Sequence, residues 1–114
     1  MSVNSAPVAP TPLPLSIHGT PYSSTFLIGS EDHTLGNPLR HLLVSSQTSS
    51  VSFAGYSVPH PSEHVLQLRV QMYEKGGKTS KESVVEACET LGRICEVIEE
   101  TVEREHGKIV KDEE

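Results

Sequence analysis

Apolar and polar residues alternate strictly between positions 66 and 72, a pattern typical of a strand with one buried face. The apolar residues at every second position are Leu66, Leu68, Val70 and Met72. Two other segments, residues 24–29 and 51–58, contain β-branched and aromatic residues, and each also predicts a strand. Pro59 and Pro61 place a turn between segments 51–58 and 66–72, so these two strands are predicted to form a hairpin.

Apolar residues recur at helical spacing on either side of the hairpin. The stripe of predicted helix one consists of Leu35, Leu39, Leu42 and Leu43. Pro38 leaves two alternatives for its start: Asn37 caps a short helix whose first residue is Pro38, or Pro38 lies within the first turn. Thr79 and Glu82 fit a capping box, and helix two is predicted to run from about residue 80 to residue 106.

Predicted helix two carries a heptad-like apolar stripe. Its members are Val84, Cys88, Leu91, Cys95, Ile98 and Val102. A helix of about 27 residues is roughly 40 Å long, and a small hairpin sheet cannot cover all of it. The stripe can therefore belong to the core of this chain or to an interface. Its far half is predicted to pack against another helix, either of this chain or of another one.

The ends of the chain differ from this central pattern. Residues 1–21 contain five of the eight prolines and few core-forming side chains, so a disordered tail is expected there. One folded domain is predicted over residues 22–106, followed by an acidic tail over 107–114. A folded part of this size buries little apolar surface by itself, which favours a partner chain that supplies more.

Charge argues against nucleic acid and membranes as partners. The formal net charge is −6, and residues 74–114 contribute most of it, with seven basic and twelve acidic side chains. Phosphate binding needs a basic surface, and an acidic helix is a poor match for anionic lipid. No signal peptide and no apolar run near the ~20 residues of a membrane span is visible, so a soluble intracellular protein is expected. Cys88 and Cys95 are about 10.5 Å apart along one helix, too far for a disulfide between them.

Histidines are the best candidates for catalysis or metal binding, and their setting argues against both roles. His60 and His64 are four residues apart, but the prolines on either side of His60 exclude a helix that would direct both rings to one metal ion. Asp32 and His33 resemble part of a catalytic triad, yet no serine stands in a nucleophile elbow. We therefore predict no catalytic residue, no cofactor and no metal, and expect Asp32 and His33 to fix the start of helix one.

Two longer motifs resemble a known family. They are EDHTLGN at residues 31–37, followed by Leu39-Arg40, and FAGYSVPHPSEH at residues 53–64, followed by the strand LQLRVQ. They resemble the small α-like subunits of nuclear RNA polymerases over roughly residues 24–106. The resemblance implies an α+β fold in β-α-β-β-α order, similar to the dimerisation domain of bacterial RNA polymerase α.

The resemblance also implies partners. The two helices would pack against those of a larger α-like subunit, and the two largest polymerase subunits would assemble on this heterodimer, with no direct contact to nucleic acid. The predicted interface is the two helix stripes: Leu35, Leu39, Leu42, Leu43, Val84, Cys88, Leu91, Cys95, Ile98 and Val102.

Within the family, three features resemble the version shared by polymerases I and III. They are Leu39-Arg40, Pro61-Ser62-Glu63 and the pattern Cys95-x-Val97-x-Glu99. They imply a non-catalytic role in the synthesis of ribosomal RNA, 5S rRNA and tRNA, in the nucleus and nucleolus. The segment FAGY at residues 53–56 and the pair Glu63-His64 instead resemble the polymerase II counterpart, which stays an alternative. The residues are also compatible with a stand-alone homodimeric adaptor or with a histidine-dependent hydrolase.

Overall fold

Four strands and two helices form the structure, a computed structural model that describes residues 14–45, 50–60, 62–73 and 77–113. In chain order they are β1 (Leu15–Thr20), β2 (Ser23–Gly29), α1 (His33–Ser45), β3 (Val51–Ser57), β4 (Val65–Met72) and α2 (Ser80–Glu113). The strands form one antiparallel sheet in the order β1-β2-β4-β3. The predicted α+β class and the hairpin of β3 with β4 are confirmed, whereas the predicted element order lacks β1.

The core lies on one face of the sheet, because alternation in β2 and β4 directs every second side chain to that face. Cross-strand partners share it: Phe26 is opposite Leu68, and Ile28 is opposite Leu66. Helix α1 packs on this inner face over β3 and β4, and α2 packs beside α1. The buried apolar residues are Phe26, Ile28, Leu39, Leu43, Val51, Ala54, Leu66, Leu68, Val70, Met72 and Ala87.

Strand β1 occupies the edge of the sheet, where the sequence predicts a disordered tail. It pairs with β2 from Leu15, opposite Ile28, to Thr20, opposite Ser23. The prediction of disorder over residues 1–21 is therefore wrong for residues 15–20, and residues 1–13 lie outside the described part of the chain. All six residues of β1 are exposed, so the backbone ladder, and not side-chain burial, holds the strand in place.

Helix α1 begins directly after Asp32. The Thr34 backbone N–H donates a hydrogen bond of 2.9 Å to Asp32 Oδ1, which is N-cap geometry. This hydrogen bond is the main cause that lowers the pKa of the Asp32 carboxyl below its ordinary value. The predicted role of this segment in fixing the start of helix one is confirmed.

Pro38 is the sixth residue of α1, so both predicted positions for it are wrong. Proline has no N–H to donate to the carbonyl of Thr34, four residues earlier. Thr34 is exposed, so water can satisfy that carbonyl, and the helix continues to Ser45.

Helix α2 begins with the predicted capping box, which is confirmed. Thr79 Oγ1 accepts a hydrogen bond of 3.2 Å from the Glu82 backbone N–H. In return, the Thr79 backbone N–H donates to Glu82 Oε1 at 3.0 Å. These reciprocal bonds satisfy two donors that the first turn of a helix leaves free.

The next residue, Ser80, ties the start of α2 to the β1–β2 end of the sheet. Its side chain is fully buried, and its Oγ lies 3.0 Å from the Pro21 carbonyl oxygen and 2.6 Å from Ser24 Oγ. The Ser80 backbone N–H also donates to the Pro21 carbonyl, at 2.8 Å. The first turn of α2 is therefore fixed by its cap and by the sheet together.

The far end of α2 lies beyond the predicted boundary. The helix continues to Glu113 and not to about residue 106, so the predicted acidic tail over 107–114 is helical through residue 113. Gly107 lies inside the helix, where a glycine costs about 1 kcal/mol relative to alanine but does not end the helix. At 1.5 Å per residue, the 34 residues of α2 extend over about 51 Å.

Removing the cap hydroxyl with Thr79→Ala is expected to lower the free energy of unfolding by about 0.5–2 kcal/mol. Hydrogen bonds from Thr79 lower the pKa of Glu82. The stabilisation that this carboxylate contributes is thus present above its unfolded-state pKa and is lost as the pH falls through the lower folded-state pKa. Urea unfolding at several pH values, at matched concentration and oligomeric state, measures both effects. Thr101→Ala, the same change inside α2, leaves the Thr79–Glu82 bonds intact and should retain the pH dependence of wild type.

Candidate functional site

Helix α2 is covered by the rest of the chain only along its first part. Ser83 and Ala87 are buried, and Val84 and Leu91 are partly buried against the core. From Gly92 to Lys111 every residue of the helix is exposed. The inner face of α2 thus begins as part of the core and continues past the end of the sheet.

The exposed part of this face remains apolar. Five residues within an arc of about 100° form what we name the distal stripe. These residues are Ile94, Cys95, Ile98, Val102 and Ile109. Ile98, Val102 and Ile109 are 56%, 60% and 57% exposed. Glu105 lies within the same arc, between Val102 and Ile109, and forms an ion pair with Lys108. An exposed face of a charged helix that is otherwise apolar marks a surface that another protein covers.

Residues of the predicted interface on α2 divide into two groups. Val84 and Leu91 contact the core, whereas Cys88, Cys95, Ile98 and Val102 are exposed. The sequence left the stripe open between core and interface, and in this chain its first part contacts the core whereas its far half is exposed. Whether a partner contacts these residues stays a prediction.

On α1 the predicted interface needs a correction. Leu39 and Leu43 are 1% and 3% exposed because α1 lies flat on the sheet and directs both side chains into the core. They have no surface to offer a partner, so the prediction is wrong for these two residues. Leu35 and Leu42 are partly buried against the same core and retain some surface.

One residue of the distal stripe was missed in the sequence. Ile109 follows Val102 by seven positions, the same interval that separates Cys88, Cys95 and Val102. The signal was present, but the predicted end of helix two at about residue 106 excluded it. Extending the helix to Glu113 lengthens the apolar face by two turns.

A cleft of about 240 Å³ lies between the end of α1 and the first half of α2. Leu42, Val51 and Ala87 contribute apolar walls. Lys78 Nζ and Glu86 Oε1 also line it and form an ion pair of 2.7 Å. The cleft joins the half-exposed edge of α1 to the inner face of α2, so an apolar side chain of a partner can enter it.

The structure defines the surroundings of two ionisable groups, the Cys88 thiol and the His33 ring. Partial burial, with a smaller contribution from the charge of Glu89, raises the pKa of the Cys88 thiol, which therefore stays neutral. His33 Nδ1 is 3.1 Å from the Tyr56 hydroxyl, and the two rings meet edge to face.

The described ranges contain no group of three or more His, Cys, Asp or Glu side chains placed to hold a metal ion. Across those same ranges no helix is long and apolar enough to cross a membrane.

The candidate histidines contribute to the β3–β4 turn through their backbones. The His60 carbonyl accepts a hydrogen bond of 3.1 Å from the Glu63 N–H, and the His64 carbonyl accepts one of 2.6 Å from the Ser30 N–H. The second bond fastens the turn to the end of β2.

Comparison with known proteins identifies the family. A sequence model for the RNA polymerase Rpb3/Rpb11 dimerisation domain matches residues 23–101. The chain belongs to this family. The resemblance inferred from the sequence motifs is thereby confirmed, and the match includes β2, α1, β3, β4 and most of α2.

Several curated members of the Rpb3/Rpb11 family resemble this chain. The DNA-directed RNA polymerases I and III subunit RPAC2 of Saccharomyces cerevisiae is 42% identical over 77 residues, which are 68% of this chain and 51% of that protein. RPAC2 of Danio rerio is 36% identical over 90 residues, 79% of this chain and 77% of that protein. The polymerase II subunit rpb11 of Dictyostelium discoideum is 47% identical, but over only 45% of this chain and 41% of its own length. The chain thus spans about half of the yeast relative.

A solved structure supports the fold. DNA-directed RNA polymerase subunit L from Thermoplasma acidophilum superposes with a TM-score of 0.66, covering 83% of this chain and 90% of that one. The sequence identity is 21%, so this likeness concerns the fold alone.

Proposed function

We propose that this chain is a non-catalytic subunit shared by DNA-directed RNA polymerases I and III, and that it forms a heterodimer with a larger α-like subunit. The observation that carries the proposal is the distal stripe, an apolar helix face that the chain itself leaves uncovered. Membership in a family of dimerisation domains supports this choice of occupant, and we take the partner to cover the stripe with helices of its own. Burying apolar side chains between the two chains drives their association.

The platform role follows from this heterodimer. Once the helices are paired, the two sheets present fixed surfaces on which the two largest subunits assemble. The chain would then support synthesis of ribosomal RNA, 5S rRNA and tRNA, in the nucleus and the nucleolus, without touching nucleic acid. Its net charge of −6 agrees with a protein partner more than with a phosphate backbone.

The assignment to polymerases I and III rests on the relatives that resemble this chain over most of its length. The polymerase II counterpart is the second candidate, because a subunit with that name matches residues of this chain at 47% identity over a shorter segment. Both candidates use the same dimerisation surface, so the partner decides between them.

The isolated chain is expected to self-associate. When it is produced together with the larger α-like subunit, the chain is expected to form a one-to-one heterodimer. The physical reason is that the distal stripe is exposed to water in the isolated chain. Size-exclusion chromatography with light scattering measures both states. A monodisperse monomer that melts cooperatively would contradict the proposal. A stable homodimer that does not bind the α-like subunit would favour the alternative of a stand-alone homodimeric adaptor.

Purification of the tagged chain from cells then separates the two polymerase assignments. Recovery of the largest subunits of polymerases I and III, without those of polymerase II, is the expected result. Recovery of polymerase II subunits instead would support the alternative.

A further inference from the structure

The outer face of the sheet, opposite the helices, carries one well-placed positive charge. Arg69 lies in β4, an inner strand, directly between Thr25 of β2 and Gly55 of β3. Its side chain points away from the core, because its neighbours Leu68 and Val70 are the buried ones. Neither the cap, the core nor the distal stripe involves this residue.

Two hydroxyl groups hold the guanidinium in position. Arg69 Nη1 donates to Thr25 Oγ1 at 3.0 Å, and Nη2 donates to Ser23 Oγ at 2.8 Å. Both acceptors are neutral, so the bonds orient the group without compensating its charge. A guanidinium has five N–H donors, and three of them remain available in a planar fork.

No carboxylate compensates the charge within the described ranges. The ion pairs there are Lys78–Glu86 and Lys108–Glu105, and neither includes Arg69. No acidic residue of the described part of the chain lies in a strand. Arg69 is only partly exposed, so its guanidinium is partly withdrawn from water while both of its hydrogen-bond acceptors are neutral.

The surroundings of Arg69 provide an apolar wall. Phe53 occupies the same outer face and is 50% exposed, and its ring lies over Gly55, the residue directly opposite Arg69. Leu27 is also on this face, two residues from Thr25 along β2. Such a site combines an oriented charge with apolar contacts, which suits a protein side chain in a water-poor interface.

We propose that Arg69 receives an aspartate or glutamate carboxylate from a further protein subunit, which docks on the outer face while the helices hold the α-like partner. We choose a carboxylate because of charge complementarity: Arg69 is a cation without an acidic partner among the described residues, in a chain whose net charge is −6. A nucleic acid backbone would need several cations on one face, and among the described strand residues Arg69 is the one arginine or lysine. The proposal rests on the proposed function only in taking the docking protein to be another subunit of the same complex.

The test uses the full chain, tagged and purified with its complex from cells. Arg69→Gln removes the charge, Arg69→Lys keeps the charge but loses the planar fork, and Arg104→Gln is the matched control on the exposed part of α2. Two readouts are kept separate: recovery of the larger α-like subunit, and retention of each remaining subunit as the salt concentration rises.

With Arg69→Gln, recovery of the α-like subunit should equal that of wild type, and retention of at least one other subunit should fall at least tenfold. Arg69→Lys should restore only part of that retention, and Arg104→Gln should behave like wild type. Wild-type retention of every subunit by Arg69→Gln overturns the proposal. Loss of the α-like subunit as well would show that Arg69 serves folding, and this overturns it too.

A structure of the assembled complex gives the decisive readout. An Asp or Glu oxygen of another subunit within 4 Å of the Arg69 guanidinium is expected, and exchanging the two charges should restore the retention that Arg69→Glu abolishes. A phosphate at that position, or a guanidinium open to solvent, overturns the proposal. If wild-type chain recovers no α-like subunit, the proposed function fails first, and the structure of whatever complex is recovered still decides what Arg69 contacts.

Discussion

Ile98→Asp is expected to abolish heterodimer formation and, with it, incorporation of the two largest subunits. Ile98 lies in the middle of the distal stripe and is 56% exposed, so the substitution leaves the core of this chain intact. In the heterodimer the aspartate would be buried without a partner. Loss of the apolar contact costs roughly 2–5 kcal/mol, and the unpaired buried charge adds several more. Co-purification of the α-like subunit with each tagged variant measures the effect.

The controls for this prediction lie on the other side of α2. Glu96 and Glu100 point away from the distal stripe and are exposed, so Glu96→Gln and Glu100→Gln should change binding by no more than about 0.5 kcal/mol. Leu91→Asp should also abolish the heterodimer, but Leu91 contacts the core, so its effect mixes folding with binding. Normal recovery of the partner with Ile98→Asp would show that this face is not the dimer surface.

Gly36→Ala is expected to destabilise the fold by about 1–3 kcal/mol, the usual cost of overpacking a core. A Cβ at Gly36 would lie 2.7 Å from both Leu66 Cδ1 and Tyr56 Cδ2, so α1 would have to move away from the sheet. Gly92→Ala is the matched control, because no atom lies within 4 Å of a Cβ built there. In an exposed helix interior this change should stabilise by about 1 kcal/mol. A glycine-to-alanine change is thus expected to lower the free energy of unfolding at position 36 and to raise it at position 92.

Urea unfolding of heterodimers that contain the wild-type, Gly36→Ala or Gly92→Ala chain measures both changes in the free energy of unfolding. Equal stability of Gly36→Ala and wild type would mean that Tyr56 and Leu66 can rearrange at no cost, and that α1 does not depend on this close approach. Gly36 permits close contact between helix and sheet, since the nearby atoms belong to β3 and β4.

The sequence predicts those elements of the fold that alternate or repeat strongly. Strand β4 and the cap of α2 follow directly from seven alternating residues and from the spacing of Thr79 and Glu82. Strand β1 could not be predicted, because its side chains are exposed and only backbone pairing with β2 defines it. The helical position of Pro38 also escaped prediction, since it depends on an exposed carbonyl that water can satisfy.

The candidate site was predictable in part for a related reason. Periodicity shows which face of a helix is apolar, but not whether the same chain already covers that face. Leu39 and Ile98 are both stripe residues, yet one is buried under the sheet and the other is exposed. Only the three-dimensional placement of α1 flat on the sheet, and of α2 extending past it, separates them. Arg69 gave no signal at all, because a polar residue on the outer face of a strand is the expected pattern.

The attachment of α2 at one end has a geometric consequence. Ser80 and the cap hold the first turn, whereas the distal stripe begins about 20 Å further along the axis and Ile109 lies about 43 Å away. The helix packs against the core as far as Leu91, so a small tilt is magnified beyond that residue: a tilt of about 5° at Leu91 would displace Ile109, about 27 Å further on, by roughly 2 Å. Residues far from the distal stripe that fix the first part of α2, such as Ser24, thus help to set the position of the stripe relative to the sheet.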